Sequence, residues 1–442
     1  MKFGAAELDS VLGEHLPPNV TGLVAGVSGG ADSACLLSAL AELPRRPLRA
    51  VHVDHGLQAA SAALRASSSA LCQRLEIPLT VIEVTVETAG ESLEARAREA
   101  RYRAFALNLA PGECLLTAHH AEDQAETLLL QLLRGTGIKG LCSMPVRRPL
   151  GGGWHLRPLL EVARRVLMAY GSAHGIEAHE DPMNRDTRFD RVFLRTEIWP
   201  AIIGRWPGAA AALGRAARHA ADAQRLLDRA ADTALFYLRD GAALSVTGLR
   251  ALPEIEQVNV LRRWITESGI VPPPSSARLM EGLRQALTAH ADHVPAIAWG
   301  EHALRRYRER LFLTPATVPA LDVHREWPIR SQARLGLGDG LGALCWVPRL
   351  GGLDASRLPA VLSVRRRIGG ESLKLGADAR TQSVQHLCQA MGVLPWMRDA
   401  LPMIYAGESL IAIGDLWRDA RWAAPRDEMG FECVWDGGPE LV

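Results

Sequence analysis

A single stretch near the N-terminus constrains this chain more than any other. An apolar run that ends at Val27 is followed at once by a polar loop with two adjacent glycines, and then by apolar residues at helical spacing. In such a strand–loop–helix unit, the N–H groups of the loop and of the first helical turn converge and attract an anion. Glycines allow a phosphate to approach closely, serines add hydroxyl donors, and Asp32 can reach a divalent metal that accompanies a pyrophosphate. The stretch therefore predicts a phosphate-binding loop.

The residues predicted to form this loop are Ser28, Gly29, Gly30, Ala31, Asp32 and Ser33. An ordinary βα turn, capped by Asp32 or Ser33, is the simpler alternative. Other nucleotide motifs do not compete with it. The GxxxxGK[ST] pattern is absent from a chain with three lysines, which excludes a Walker-type NTPase, and the GxGxxG match at residues 135–140 follows a predicted helix instead of a strand. That second motif is predicted to be a helix C-cap and turn.

The first two hundred residues alternate β-rich runs with amphipathic helical segments, which is typical of an α/β domain with a parallel sheet. We predict strands at 22–27, 48–53, 79–84 and 113–118, and helices at 33–43, 60–75, 93–109 and 121–133. From Ala209 onwards the composition changes to long Ala/Arg/Leu-rich helical segments. The predicted order is a catalytic domain at 1–208, a mainly helical middle domain at 209–316, a linker region at 317–354 and a small α+β domain at 355–442.

Polar side chains cluster where the predicted strands end, which is the usual ligand edge of a parallel sheet. The second strand leads into Val53, Asp54 and His55, and the fourth leads into His119, His120 and the acidic residues of the next helix, including Asp123. Each carboxylate taken singly also suits a helix N-terminus. The preceding helix carries Arg98 and Arg101 on one face, where they could clamp developing charge or form a solvated surface.

Composition limits the environment of the protein more than its chemistry. The chain has 50 basic and 49 acidic residues, so an anionic partner has to be held by local patches. The seven cysteines include no CxxC pair, which predicts a reduced, cytoplasmic protein without a zinc cluster. The N-terminal segment lacks the apolar core of a signal peptide, and no run is long enough to predict a membrane span.

These motifs together resemble the PP-loop superfamily of N-type ATP pyrophosphatases, and within it the tRNA(Ile)-lysidine synthetases. The resemblance rests on VSGGADS, HVDHGL, LEARAREARY, TAHHAEDQAETLLLQLLRGTG and the HEDPMNRDTRFDRVFLRTEIWP stretch. It extends to SVRRRIGGESLKLG and VLPWMRDALPMIYAGESLIAIGDLW near the C-terminus. Nearly the whole chain is covered, and the resemblance implies a PP-loop domain followed by tRNA-binding domains.

The resemblance also implies a two-step reaction. The wobble cytidine of a CAU-anticodon tRNA(Ile) is adenylated with ATP and Mg²⁺, and free L-lysine then displaces AMP. Residues implied at the reacting centre are Asp123, Arg98, Arg101 and His120, while the loop residues, Val53, Asp54 and His55 would bind ATP, and Asp32 the metal. Residues implied in tRNA binding are Asn184, Arg191, Arg195, Arg365, Arg366 and Arg367. A homodimer is also possible.

Two alternatives remain open at this stage. A PP-loop tRNA cytidine thiolase shares the loop and the His-His-acid stretch, but it needs paired cysteines for a cluster or a persulfide. A non-catalytic RNA-binding protein with a degenerate nucleotide fold is the other alternative, and the intact SGGxDS loop and Asp123 argue against it.

Overall fold

The computed structural model describes residues 3–43, 47–54, 61–85, 93–176, 186–270, 273–288, 295–321 and 324–441. The chain divides into two units, Met1–Leu227 and Asp228–Val442. The strands of the first unit are β1 (Gly22–Gly26), β2 (Leu48–Asp54), β3 (Leu79–Glu83), β4 (Glu113–Leu116), β5 (Arg147–Leu150) and β6 (Gly153–Leu156). Its helices are α1 (Ala5–His15), α2 (Ala31–Ala41), α3 (Ser61–Arg74), α4 (Leu93–Asn108), α5 (Ala121–Leu133), α6 (Ile138–Leu141), α7 (Arg164–Ala173), α8 (Asp190–Phe193), α9 (Trp199–Arg205) and the start of α10 (Ala209–Leu238).

The strands of this unit form one six-stranded sheet in the order β3-β2-β1-β4-β6-β5. All neighbours pair in parallel except β5 and β6, which form an antiparallel hairpin at the edge. The chain leaves β1 towards β2 on one side and later returns to place β4 on the other. The carboxyl ends of β1 and β4 therefore flank a switch point in strand order, where parallel sheets bind ligands.

Burial on both faces of the sheet follows from the alternation of side chains along each strand. Leu23 and Ala25 of β1 pack in one apolar cluster with residues of α1, α2 and α7. Between them, Val24 points to the opposite face and packs in a second cluster with Phe105 of α4. The prediction of a parallel α/β domain is confirmed, and each predicted strand and helix lies within about two residues of an observed one.

The second unit contains two apolar clusters, one built from residues 231–311 and one from residues 321–441. Helices α11 (Val246–Arg250), α12 (Glu254–Glu267) and α13 (Ser276–Thr288) belong to the first of these. The strands beside them are β7 (Arg239–Asp240), β8 (Ala243–Ser245), β9 (Ala296–Trp299), β10 (His302–Tyr307) and β11 (Arg310–Pro315), in the sheet order β7-β8-β11-β10-β9. The middle of the chain thus combines the expected helices with a sheet.

The C-terminal part of the chain is mostly strands, with one longer helix. Its elements are β12 (Arg325–Trp327), β13 (Arg334–Gly338), β14 (Gly342–Leu350), β15 (Leu362–Arg365), β16 (Ser372–Leu373), β17 (Gln382–Ser383), α14 (Val384–Met391), β18 (Met403–Ala406), β19 (Ser409–Ile413), β20 (Trp417–Arg418) and β21 (Met429–Asp436). Short 3₁₀ turns lie at Pro395–Ala400 and Ala420–Trp422.

The stretch predicted as a linker, residues 317–354, contributes strands to these sheets. Strand β12 pairs with β15, and β14 pairs with β21 along its length. The Gly-rich run that suggested a linker forms the tight connection between β13 and β14, because Gly338, Gly340 and Gly342 all adopt positive φ. We therefore propose that residues 325–350 belong to the C-terminal block.

Among the helices that the described residues form, none combines the length and the apolar character needed to cross a bilayer.

Candidate active site

A cavity of about 420 Å³ opens at the switch point between β1 and β4. Its wall includes the loop after β1, the end of β2, one face of α4, the segment between β4 and α5, and the helical turn around residues 189–195. The polar residues of this wall that concern the chemistry are Ser28, Asp32, Arg98, Arg101, Asp123 and Arg195. These six residues come from four segments of the chain: the loop after β1, α4, the start of α5 and the helical turn around residue 195.

The loop after β1 is held in shape by its own serines. The Ser33 hydroxyl donates to the carbonyl oxygen of Gly30 at 2.9 Å and accepts from the backbone N–H of Ser28 at 3.1 Å. The Ser28 hydroxyl accepts a longer bond from the Gly30 N–H at 3.4 Å. Gly29 adopts a φ of +83°, and a Cβ atom there would lie 2.4 Å from the Leu64 carbonyl oxygen. This position therefore requires glycine, whereas Ala31 simply begins α2.

Asp32 has the chemistry of a metal-binding carboxylate. Its Oδ1 atom is buried and has no hydrogen-bond partner among the described residues, while Arg164 Nε lies 3.5 Å from it. No group of three or more His, Cys, Asp or Glu side chains in the described part of the chain forms a metal cage. Magnesium commonly uses one or two carboxylates together with substrate phosphates. A single buried carboxylate oxygen beside a phosphate loop fits that mode of binding.

Asp123, in the first turn of α5, is surrounded by cations. Its Oδ1 accepts from Arg195 at 2.8 Å and from Arg191 at 3.1 Å, and its Oδ2 lies 3.4 Å from Nε2 of His120. Burial alone would raise the pKa of this carboxyl, but the charges of His120, Arg191 and Arg195 outweigh it and hold the pKa well below its usual range. Asp123 is therefore an ionised anchor and a poor proton acceptor.

Glu126 lies one turn further along α5 and is only 1% exposed. Its Oε1 accepts from Arg195 Nε at 2.7 Å, and its Oε2 accepts from Arg191 Nε at 3.0 Å. The two arginines therefore bridge the carboxylates of Asp123 and Glu126. Sequence analysis placed Arg191 and Arg195 among the tRNA-binding residues, and the structure places them on the cavity wall in this four-membered ionic cluster.

His120 lies behind the cavity wall and is 3% exposed. It is the N-cap of α5, where its backbone N–H donates to Asp123 Oδ2 at 3.1 Å. Its Nδ1 lies 3.1 Å from Glu122, and its Nε2 lies 3.9 Å from Asp32. Although burial disfavours the charged ring, the hydrogen bond to Glu122 and the nearby carboxylates raise the pKa of His120. The ring thus lies between the carboxylates of Asp32 and Asp123.

Arg98 and Arg101 both line the cavity from α4, as their spacing on one helix face predicted. The guanidinium of Arg98 lies 5.1 Å from the centroid of the Tyr102 ring, which also lines the cavity. Stacking on an aromatic face limits the positions that a long cationic side chain can take. The two arginines therefore supply positive charge on the wall, as the sequence predicted.

The other residues predicted to bind ATP do not all lie on the cavity wall. Val53 lines the cavity, whereas Asp54 at the end of β2 accepts a 2.5 Å hydrogen bond from Ser61 and is not part of the wall. His55 and Asn184 lie outside the described residues.

The arginines at the end of β15 are not equivalent. Arg365 donates to the Ser363 hydroxyl at 3.1 Å and lies 4.7 Å from the Tyr405 ring, and Arg367 lies 3.7 Å from Glu371. Arg366, between them, is exposed. Of these three arginines, Arg366 is thus the exposed one, while Arg365 and Arg367 are half-buried.

Thr117 and His119 line the cavity but were not predicted as site residues. Burial, together with the charges of Arg157, Arg98 and Arg191, lowers the pKa of His119 to about 3 against the opposing effect of Asp123. The ring is therefore neutral at physiological pH. The signal that could have found it is the His-His pair itself, because one member of such a pair at a strand end faces the cavity.

The GxGxxG match has the structural role that its context predicted. Gly135 follows the C-cap of α5 with a φ of +64°, and Gly137 is the N-cap of α6. None of its residues lines the cavity.

Family models match three parts of this chain. The PP-loop domain matches residues 6–202, the TilS substrate binding domain matches residues 244–312, and the TilS substrate C-terminal domain matches residues 362–435. The first match covers the six-stranded sheet and the cavity described above.

Curated relatives match over nearly their whole length. The tRNA(Ile)-lysidine synthase of Alkalilimnicola ehrlichii is 41% identical over 411 residues, which cover 91% of this chain and 92% of the relative. The tRNA(Ile)-lysidine synthase of Methylococcus capsulatus is 38% identical over 92% of this chain and 94% of the relative. That of Pseudomonas aeruginosa is 38% identical over 97% of this chain and 99% of the relative.

Proposed function

This chain belongs to the tRNA(Ile)-lysidine synthase family, and from that premise we propose how its cavity carries out the reaction. It is a ligase of the PP-loop family that forms lysidine on tRNA(Ile). The observation that carries the proposed mechanism is that one cavity is lined by Ser28, Asp32 and Ser33 of the SGGADS loop, by Arg98 and Arg101, and by Asp123. A loop for pyrophosphate, cations for a reacting phosphate and an anion for an amine are thus close together.

We propose that ATP binds with its β- and γ-phosphates on the loop at Ser28–Ser33. The wobble cytidine of the CAU-anticodon tRNA(Ile) enters the cavity, and its O2 atom attacks the α-phosphorus. A bond forms between O2 and phosphorus, and the bond from phosphorus to the bridging oxygen breaks to release pyrophosphate. The product is an adenylated cytidine, in which O2 has become part of a good leaving group at C2.

In the second step the ε-amine of free L-lysine attacks C2. A carbon–nitrogen bond forms, the bond between C2 and O2 breaks, and AMP leaves with that oxygen. The base so formed reads AUA codons instead of AUG. The amine has to be neutral when it attacks, so its proton must be lost first.

Arg98 and Arg101 are proposed to stabilise the charge that develops on the α-phosphate during the first step. Positive groups fixed in place before the reaction act strongly on such charge, because they need no reorganisation as the reaction proceeds. The stacking of Arg98 on Tyr102 supports this role, since it restrains the guanidinium before substrate arrives.

Asp123 is proposed to hold and orient the lysine ammonium and not to take its proton. Its pKa lies well below the usual range for a carboxyl, so it is ionised at neutral pH and binds protons weakly. Asp123 and Asp32 each place a carboxylate on the cavity wall. The proton of the amine is then lost to water or to a substrate phosphate.

Asp32 is proposed to hold a magnesium ion that arrives with ATP, and its orphaned Oδ1 atom supports that role. When bound, the ion neutralises charge on the departing pyrophosphate. Arg164 and His120 lie near Asp32, at 3.5 Å and 3.9 Å, but its Oδ1 atom accepts no hydrogen bond among the described residues and is left for the ion.

The tRNA is proposed to be gripped by arginines of the C-terminal block, chiefly Arg366, through phosphate contacts that position the RNA without reading its sequence. Asn184, Arg191 and Arg195 would then act near the anticodon.

We further propose that the protein works in the cytoplasm, where its tRNA substrate is found, and the seven free cysteines suit that reducing environment. A homodimer is compatible with these roles.

The thiolase alternative does not agree with the family of this chain, and the sequence lacks a cysteine pair to carry sulfur. The non-catalytic alternative is addressed by experiment. The protein is incubated with ATP, Mg²⁺, labelled lysine and total tRNA, and the RNA is digested to nucleosides. We expect the label in one modified cytidine, and its absence there would overturn the proposal.

Variants assign the roles within the same assay. Asp32→Ala should abolish pyrophosphate release, whereas Asp123→Asn should reduce lysine transfer more than pyrophosphate release. Asp222→Asn is the matched control, because Asp222 is an exposed helical aspartate that pairs with Arg225. Equal loss in Asp123→Asn and Asp222→Asn would contradict the role given to Asp123.

A further inference from the structure

A chain of hydrogen bonds runs from the interior of the sheet to the cavity wall through Thr117. The Thr117 hydroxyl oxygen lies 2.8 Å from Nδ1 of His119 and 2.8 Å from Nε2 of His155. Thr117 directly follows β4, and His155 lies on the neighbouring strand β6, fully buried. One hydroxyl carries one proton, so it donates to one of these rings and accepts from the other.

Arg148, at the end furthest from the cavity, decides which atom donates in each of these hydrogen bonds. A guanidinium is always protonated in proteins and can only donate hydrogen bonds. Its Nε atom lies 3.4 Å from Nδ1 of His155, and its position is restrained by the ring of Tyr102, whose centroid is 4.7 Å from the guanidinium carbon. Nδ1 of His155 must therefore be the acceptor and carries no proton.

His155 is neutral, which fixes its other nitrogen. Burial, together with the charges of Arg157 and Arg148, lowers its pKa to about 2. A neutral imidazole has one proton, and with Nδ1 unprotonated that proton lies on Nε2. Nε2 of His155 therefore donates to the oxygen of Thr117.

The same reasoning continues to the cavity. Since the Thr117 oxygen accepts from His155, its own O–H donates to Nδ1 of His119. His119 is also neutral, so its single proton lies on Nε2. Because Nδ1 is occupied by Thr117 and the ring lines the cavity, Nε2 is the nitrogen available to a bound substrate.

We propose that Thr117 and His155 are positioning residues that hold His119 as the tautomer with a protonated Nε2, so that His119 donates a hydrogen bond to a substrate oxygen and does not accept a proton. The role deepens the proposed function and rests on it for the identity of that oxygen, which belongs either to the α-phosphate or to the adenylated cytidine. A neutral donor of this kind stabilises charge developing on oxygen. It also leaves the removal of the amine proton to another group.

The tautomer itself is measured by NMR on the full-length protein labelled with ¹⁵N-histidine. The His119 and His155 signals are assigned from their loss in His119→Gln and His155→Gln. We expect both rings in the wild type to have a protonated Nε2 and an unprotonated Nδ1 at neutral pH. A protonated Nδ1 on His119 would overturn the proposal, whether or not the protein has the proposed activity.

Variants of Thr117 test whether the hydrogen-bond relay from His155 through Thr117 to His119 affects the His119 tautomer and the reaction rate. Thr117→Val removes the hydroxyl, and Thr117→Ser keeps it. With valine we expect the His119 ring to become a mixture of tautomers and tRNA-dependent pyrophosphate release to slow about tenfold or more, with a smaller change in the KM for ATP. Serine should restore both the tautomer and the rate. An unchanged His119 tautomer in Thr117→Val would contradict the relay.

The activity assay also separates this proposal from the proposed function. If the wild type releases no pyrophosphate with cognate tRNA, the proposed function fails, while the tautomer measurement still decides the relay. If the wild type is active and Thr117→Val is folded by its melting curve but as fast as the wild type, the relay has no role in the reaction and the proposal fails alone.

Discussion

Oδ1 of Asp123 lies 2.8 Å from Nη2 of Arg195, although 72 residues separate the two in the sequence. The same arginine reaches Glu126, which is almost completely buried. This pairing connects the helix after β4 to the turn around residue 195, and it places an ionised but protected carboxylate on the wall of the cavity. The functional account depends on this arrangement, and the following predictions test its parts.

Removing Arg195 should cost stability as well as activity. Arg195→Ala leaves Arg191 as the ion-pair partner of the buried Glu126 carboxylate among the described residues, and breaking a buried ion pair in this way costs about 3 kcal/mol of unfolding free energy. Chemical denaturation measures this loss. Adding Glu126→Gln should recover part of it, since the uncompensated charge is then gone.

Arg284→Ala is the matched control, because Arg284 pairs with Glu281 on an exposed helix face. Its unfolding midpoint should change far less than that of Arg195→Ala. Similar losses in the two variants would show that the cluster around Asp123 contributes no more than a surface pair.

The phosphate loop should be sensitive to an added methyl group at one glycine and tolerant at the next. Gly29→Ala forces alanine into positive φ and brings its Cβ against the Leu64 backbone, with an expected cost of about 2 kcal/mol. Gly30 has a φ of −90°, and a Cβ there would meet the Ser28 hydroxyl at an ordinary 3.5 Å. Thermal unfolding of both variants checks the difference, and equal midpoints would contradict the loop geometry.

Protonation of His155 should make the fold less stable in mild acid. Its pKa is lowered from 6.5 to about 2 by burial and by Arg157 and Arg148, so the unfolded chain binds a proton below pH 6.5 that the folded chain does not. Stability that is present above pH 6.5 is therefore lost as the pH falls, by about 2 kcal/mol at pH 5 for this group.

The measurement is the change in unfolding free energy between pH 7.5 and pH 5 in the wild type and in His155→Gln. The variant should lose about 2 kcal/mol less on acidification. His219→Gln, at an exposed position, controls for the loss of one histidine and should behave as the wild type does. An identical pH dependence in all three proteins would contradict the buried neutral ring.

Binding of tRNA should depend on Arg366 through simple charge. Arg366→Ala should lower the slope of log K against log salt concentration by about 0.7 to 0.9, the contribution of roughly one phosphate contact. Arg330→Ala removes one exposed positive charge elsewhere in the same block and serves as control. Filter binding of tRNA(Ile) across a salt series gives both slopes, and equal slopes would remove Arg366 from the interface.

Arg365 is expected to affect folding as well as binding. Its guanidinium contacts the Ser363 hydroxyl, the Gly407 carbonyl oxygen and the Tyr405 ring. Arg365→Ala should therefore lower the melting temperature of the protein, which Arg366→Ala should not. For this reason the three arginines are better substituted singly than together.

Much of the site follows from the sequence because parallel strands bring their carboxyl ends to one edge. The loop at Ser28, the helix start at Asp123 and the face of Arg98 and Arg101 were each predicted from local pattern, and the sheet brings them to one cavity. The partners of Asp123 could not be predicted in the same way. Arg191 and Arg195 reach it only through long-range packing, and nothing in their own segment distinguishes an arginine paired with carboxylates from one that binds RNA.

The two adjacent histidines show a second limit. His120 was predicted beside Asp123 and lies there, but His119 and not His120 lines the cavity. Successive side chains on extended backbone point to opposite sides, so one of the pair must face inward, and the sequence does not say which. The hairpin β5–β6, which supplies His155, was also missed, because its strands of four residues are too short to show alternation.

The most direct test of the account is to follow ATP labelled at its α-phosphate on purified tRNA(Ile) without lysine. If one cavity adenylates the cytidine before lysine attacks, the label should appear on the RNA together with released pyrophosphate, and later addition of lysine should discharge it as AMP. Asp32→Ala should prevent labelling. RNA that never carries the label, although lysine is still incorporated when all substrates are present, would contradict the adenylated intermediate and the roles assigned to the cavity.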